Sequence, residues 1–171
     1  MSSGAPSGPL APKAVGTSVE SDQIQFEPLE AVHDSEATWC DARTVALWTP
    51  SSDRPFLGTC VVESGTSIEI KAASVSRSNG TRQSAGHWYI KRAAHERLLA
   101  DAGVYLLTVY APRPSTPILA SVVIPASLLD EHLTDRWYDV DGSRSEERVA
   151  QLTWSALIDS EDVDGSGGDA A

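Results

Sequence analysis

The stretch GTSIEIKAA, residues 65–73, sets a glutamate and a lysine two positions apart on what reads as a strand. Strand side chains alternate between faces, so Glu69 and Lys71 emerge together, about 7 Å apart, while Ile68 and Ile70 face the other way. A carboxylate and an ammonium on one rigid face meet part of what metal-assisted phosphodiester hydrolysis requires. Such chemistry needs hard oxygen ligands for Mg²⁺ and a cation that orients water or offsets charge developing on the phosphate. A second carboxylate must then arrive from a neighbouring strand. Asp41, which opens the β-rich run DARTVALW, stands at the lip of a sheet; its rivals are Asp53, in a Pro/Ser loop, and Glu63, beside a turn. Glu30 and Glu36, on a short helix expected after Pro28, are further donors.

Taken alone, E-x-K is an ordinary pattern, because charged and apolar residues alternate on any half-exposed strand. The charge distribution gives it context. The formal net charge of −11 argues against a polyanionic partner. Residues 1–64 hold nine acids against three bases and residues 130–171 hold twelve against three, whereas residues 65–100 hold six bases against two acids. The basic segment thus begins at the E-x-K stretch, and Arg77, Arg82, Lys91 and Arg92 within it are the expected phosphate contacts, the alternative being a hydrated surface or pairing with the acidic tail. Only three of the thirteen bases are lysines. That scarcity beside abundant acids looks like the composition of salt-adapted cytoplasmic proteins, so the acidity reads as adaptation to a halophilic interior and the basic segment as the mark of the partner. The two cysteines, Cys40 and Cys60, form no metal-spaced pair and read as buried thiols. His87 beside a strand and His95 on a helix surface have no second ligand at metal spacing, and Trp88 and Tyr89 read as strand packing before base stacking.

These side chains need a scaffold. Residues 1–21 are rich in Ser, Gly, Pro and Ala and read as a disordered arm, residues 161–171 as an acidic disordered tail, and residues 22–160 as one folded domain. GTCVVESGTSIEIKAA reads as two strands joined by a tight Ser64-Gly65 hairpin turn. HWYIK is extended, and RAAHERLLAD is helical with Gly103 as its stop. VYLLTVYAP has the near-continuous apolar character of a central strand buried on both faces, ILASVVIPA is a further strand, and the end containing RWYDV and QLTWSALI is irregular, with Trp137, Tyr138 and Trp154 as lids over the sheet. The order predicts an α/β (α+β) fold, a mixed central sheet flanked by helices. No apolar run reaches bilayer length and the N-terminus lacks a basic-then-apolar leader, so a cytoplasmic protein without a membrane span is expected.

An acid at the start of one strand, E-x-K on the next in IEIKAA, a polar basic excursion, a helix and another apolar strand together resemble the PD-(D/E)xK nuclease superfamily, including archaeal Holliday-junction resolvases and restriction endonucleases. The stretch SIEIKAASVSRSNGTRQSAGHWYIKRAAHERLLADAGVYLLTVYAP also looks like small haloarchaeal proteins of that type. The resemblance covers residues 41 to about 125. It implies a restriction-endonuclease-like fold and a DNA endonuclease using Mg²⁺ or Mn²⁺. It makes Asp41 and Glu69 metal ligands, with the carbonyl of Ile70 beside them, and Lys71 the catalytic cation. Cutting as a homodimer also fits it. This chain departs from the pattern in lacking a proline before Asp41 and in its long gap from Asp41 to Glu69; Asp53 fits the usual gap better. The rival expectation is a non-catalytic module that binds nucleic acid or protein on the same scaffold.

Overall fold

The apolar run at 104–110 forms a fully buried inner strand of a five-stranded sheet, next to the edge strand. The structure, a computed structural model, describes residues 19–20, 22–23, 28–32, 39–78, 83–111, 117–140 and 148–164. In chain order its elements are β1 (Leu29–Ala31), β2 (Ala42–Thr44), β3 (Ser67–Ser74), β4 (Arg77–Ser78), β5 (Gln83–Ser84), β6 (His87–Lys91), α1 (Arg92–Ala100), β7 (Val104–Tyr110), β8 (Ile118–Pro125), α2 (Ala126–Leu133), β9 (Trp137–Asp139), β10 (Arg148–Thr153) and α3 (Ser160–Asp164). Residues 19–20 and 22–23 are also helical.

The large sheet runs β1-β2-β3-β7-β8. Only β3 and β7 are parallel, with Glu69 opposite Tyr105 and Lys71 opposite Leu107; the other pairs are antiparallel. A parallel pair needs a long crossover, and α1 supplies it. The helix ends where Ala102 turns to a positive φ of 51°. Gly103 then passes so close to β3 that a Cβ there would meet the Ser67 carbonyl oxygen at 2.8 Å, which only glycine avoids. A second sheet, β6-β10-β9, is antiparallel, and β4 and β5 pair as a small ribbon.

Two apolar cores clamp the large sheet. On one face Tyr105, Leu107, Val109, Val122 and Ile124 pack with Leu98 of α1, Leu129 and Leu133 of α2, and Trp88, Ile90, Ala150 and Leu152 of the second sheet. On the other, Ile68, Ile70, Leu106 and Val123 meet Leu29, Ala42, Trp48, Val62 and Phe56. Each such aliphatic side chain contributes about 1.5–3 kcal/mol on full burial, so β3 and β7 are the rigid centre of the molecule. Val19 and, in α3, Val163 are buried as well.

The mixed sheet with flanking helices is the expected architecture, and β3, β6, α1, β7 and β8 lie where the hydrophobic pattern puts them. Several local expectations are corrected. Leu29–Ala31 is a strand and not the start of a helix, because pairing with β2 satisfies its backbone; Glu36 lies outside the described residues. No hairpin forms at Ser64-Gly65. Gly65 does take a positive φ of 84°, yet Val62 bridges Trp48 while β3 pairs with β2 and β7. The segment 148–153 is the middle strand of the second sheet and not an irregular end. Of the thiols, Cys40 is buried but Cys60 is exposed.

Candidate active site

Strand β2 is short, and the site grows from that fact. It pairs with β3 only at Ala42–Ile68 and Arg43–Ser67, which leaves the following backbone groups of β3 without a strand on that side among the described residues. Side chains take the place of the missing ladder. The Ile70 N–H donates to Asp41 Oδ2 at 2.7 Å, and the Ala72 N–H donates to Glu20 Oε1 at 3.0 Å. Both N–H groups would otherwise be unpaired in a partly buried edge, a cost of roughly 1–3 kcal/mol each. In a strand the N–H and C=O of one residue point to the same side, so the Ile70 carbonyl opens toward these two carboxylates.

Glu69 and Lys71 leave β3 on the face shared with Tyr105 and Leu107, and Lys71 Nζ pairs with Glu69 Oε1 at 2.9 Å. Both are largely sheltered; the Lys71 side chain keeps 22% of its surface exposed and Glu69 11%. Burial pushes Glu69 up to about 7, with Lys71 pulling it back and the charges of Asp41 and Glu20 adding to the rise. Burial likewise pushes Glu20 up to about 7 against the pull of Lys71 and the Ala72 N–H. Asp41 is raised by burial, opposed by the Ile70 N–H and Lys71. For Lys71 burial acts downward, but Glu69, Glu20 and Asp41 together outweigh it and hold the ammonium charged. Three carboxylates therefore share one cation in a sheltered corner.

Among the described residues no group of three or more His, Cys, Asp or Glu is arranged to hold a metal ion as it stands. The donor chemistry is that of an open site. It offers carboxylate and carbonyl oxygens and a surplus of negative charge, and Mg²⁺ characteristically takes one or two carboxylates and completes its octahedron with water and phosphate oxygens. Asp41, Glu69 and the Ile70 carbonyl would hold such an ion, with Glu20 adjacent.

The other expected residues lie elsewhere. Asp53 sits exposed in the turn at 51–54 and Glu63 is exposed, so neither shares this corner; of the three acids weighed for the second carboxylate, Asp41 is the one beside β3. Glu30 is exposed on β1. Arg77 begins β4, and Arg82 lies outside the described residues. Lys91 is exposed at the end of β6. Arg92 is engaged by Glu96 at 2.9 Å and lies 5.5 Å over the Trp137 ring. Trp88 is fully buried and donates to the Thr108 carbonyl, as a packing residue would.

Sequence reasoning missed Glu20 altogether. Its signal is the short spacing Val19-Glu20-Gln23, with Val19 and Gln23 buried, inside a segment whose composition reads as unstructured. It also misplaced His95. The ring is 1% exposed and bridges Tyr105 Oη at 2.8 Å and Asp130 Oδ1 at 2.9 Å, because α1 packs this side against β7 and α2.

A family model described as a PD-(D/E)XK nuclease superfamily domain matches residues 7–159. The chain belongs to the PD-(D/E)XK nuclease superfamily. No curated protein and no solved structure matches it. Membership agrees with the sheet order, the β3-α1-β7 crossover and the E-x-K on β3. It points to nuclease-type chemistry on nucleic acid, and members typically use divalent metal ions. Among the described residues no helix is long and apolar enough to cross a membrane.

Proposed function

We propose that the protein is a metal-dependent DNA endonuclease that hydrolyses phosphodiester bonds with Mg²⁺ or Mn²⁺. One observation carries the reading: Asp41, Glu69 and Glu20 all act on the single ammonium of Lys71 in one sheltered corner of a superfamily sheet. Asp41 and Glu69, with the Ile70 carbonyl, would hold the ion. A bound divalent ion supplies Lewis-acid charge and lowers the pKa of water it binds.

The chain's own contribution is positioning. Glu69 Oε1 fixes the Lys71 ammonium at 2.9 Å, so that its remaining protons address the attacking water or a phosphate oxygen. The parallel β3/β7 pair holds both side chains against a packed core, where small displacements are resisted. The low-dielectric surroundings strengthen every charge interaction in the corner. Arg77, Arg82, Lys91 and Arg92 steer the DNA backbone to it, and a second copy of the chain brings a second strand within reach. The acidic remainder of the surface fits a cytoplasm rich in salt, where screening permits approach to a polyanion.

Supercoiled and branched DNA incubated at high salt with and without Mg²⁺ or Mn²⁺ tests the reading. Cleavage that requires the ion, and that is lost in Glu69→Ala while DNA binding persists, supports it. Binding without cleavage under every ion would favour a non-catalytic module instead.

A further inference from the structure

His95 and Asp130 form a second polar cluster beside the first, and the two meet at Tyr105. Glu69 and Tyr105 are register partners on parallel strands, so their side chains leave the sheet on one face as immediate neighbours. Yet the buried Tyr105 hydroxyl bonds with His95 Nδ1 at 2.8 Å, while Glu69 bonds with Lys71. The direction of that bond follows from the far end of the chain. A carboxylate oxygen accepts, so the tautomer that completes the chain carries its N–H at Nε2, toward Asp130, and leaves Nδ1 as the acceptor. The Tyr105 O–H therefore donates to His95.

Take the imidazole away and the geometry changes hands. A buried O–H that loses its acceptor is costly, and the adjacent Glu69 carboxylate is the acceptor at hand. Tyr105 already feels the Glu69 charge: burial raises the phenol first, and the Glu69 and Asp130 charges raise it further. The Trp137 ring also lies near the imidazole, 5.6 Å away centroid to centroid, and Arg92, paired with Glu96, lies over that ring.

We propose that His95, anchored by Asp130, is a positioning residue that draws the Tyr105 hydroxyl off Glu69 and so keeps the Glu69 oxygens open to Lys71 and a divalent cation. The inference rests on Glu69 being a cation ligand. It assigns His95 and Asp130 a part in the site without contact to substrate.

Calorimetric titration with Mn²⁺ alone, on the full chain, tests it in six proteins: wild type, Glu69→Gln, His95→Leu, Tyr105→Phe, the double variant His95→Leu/Tyr105→Phe, and Asp130→Ala. Residues of this supporting kind change metal affinity by about tenfold to a hundredfold when removed. His95→Leu should therefore bind Mn²⁺ about tenfold more weakly than wild type, and Asp130→Ala, whose side chain is half exposed, should weaken it by a smaller factor without unfolding. Tyr105→Phe should bind as wild type. The double variant should recover wild-type affinity, because it removes the displaced hydroxyl as well as its acceptor. A merely structural bridge predicts no such recovery.

Wild-type affinity in His95→Leu, or a double variant no better than His95→Leu, overturns the inference alone. If His95→Leu proves unfolded by its melting curve, unchanged affinity in Asp130→Ala overturns it equally. A wild type that takes up no Mn²⁺, or a Glu69→Gln that binds as well as wild type, overturns the cation reading and this inference with it.

Discussion

Two polar clusters occupy the same side of the β3/β7 pair, and they are built on opposite terms. The Asp130-His95-Tyr105 chain is closed: each imidazole nitrogen has one partner, at 2.8 and 2.9 Å, and its one carboxylate reaches solvent. The corner at Lys71 is open, with three carboxylates against one ammonium and two glutamates pushed up to about 7. A satisfied network adds stability and specificity, whereas a surplus of buried like charge costs stability until something positive arrives. Structure alone would favour the first kind everywhere. The second lies at the E-x-K element, where β2 stops short, which is why it is the place we propose for a cation.

The contrast is broken most severely at Lys71 and Glu69. Lys71→Met should lower cleavage by about a hundredfold to a thousandfold while leaving Mn²⁺ bound at least as tightly, since it removes the cation's competitor but also the charge that steadies the phosphate. Glu69→Gln should abolish both binding and cleavage. Single-turnover cleavage alongside metal titration separates the two patterns, and equal losses in both variants would mean that Lys71 serves only as the partner of Glu69.

A smaller effect is expected at Glu20. Its carboxylate caps the Ala72 N–H at the margin of the site, so Glu20→Gln, which keeps an acceptor, should cost about tenfold in cleavage and little in melting temperature. A thousandfold loss would promote it to an indispensable ligand.

The pH dependence of stability sharpens the comparison further. Glu20 and Glu69 sit at about 7 in the folded chain against an ordinary value of 4.5. Between those values the folded state holds protons that the unfolded chain has released, so these two groups favour folding below about pH 4.5 and their contribution is lost as pH rises through 7. Glu69→Gln should flatten that fall and leave the protein more stable at pH 8, by on the order of 1–3 kcal/mol. Melting temperatures across pH 4–8, in chelator, read this out. A wild type whose stability rises over that window faster than the variant's would contradict the assigned direction. At the bottom of the scale, Asp53→Asn and Glu63→Gln touch exposed acids away from the corner and should change cleavage by less than about twofold.

Where the chain announces itself, one periodicity decides. The near-continuous apolar run of β7, the alternation of β3 and the 3.6-residue pattern of α1 each fix an element without help from elsewhere, and the E-x-K site came with β3. Strands β1 and β9, of three residues each, exist only because a partner strand completes their hydrogen bonds, so local composition could not reveal them. The same holds for the site. Asp41 could be nominated because it opens a β-run, but choosing it over Asp53 and Glu63 required knowing where β2 ends. Glu20 reaches β3 across 52 residues of sequence from a segment with too few apolar residues to read as folded. His95 looked like a surface residue because one turn of α1 cannot show that β7 and α2 close over it.

The central claim is that the acids around Lys71 form a seat for one divalent ion. Paramagnetic broadening of backbone amide signals by substoichiometric Mn²⁺ tests it residue by residue. The account predicts that the amides of Ile70, Lys71 and Ala72, with that of Asp41, fade first. Broadening led by the acidic surface at Asp53 or at Glu161 and Asp162 of α3, while the β3 amides stay sharp, would contradict it.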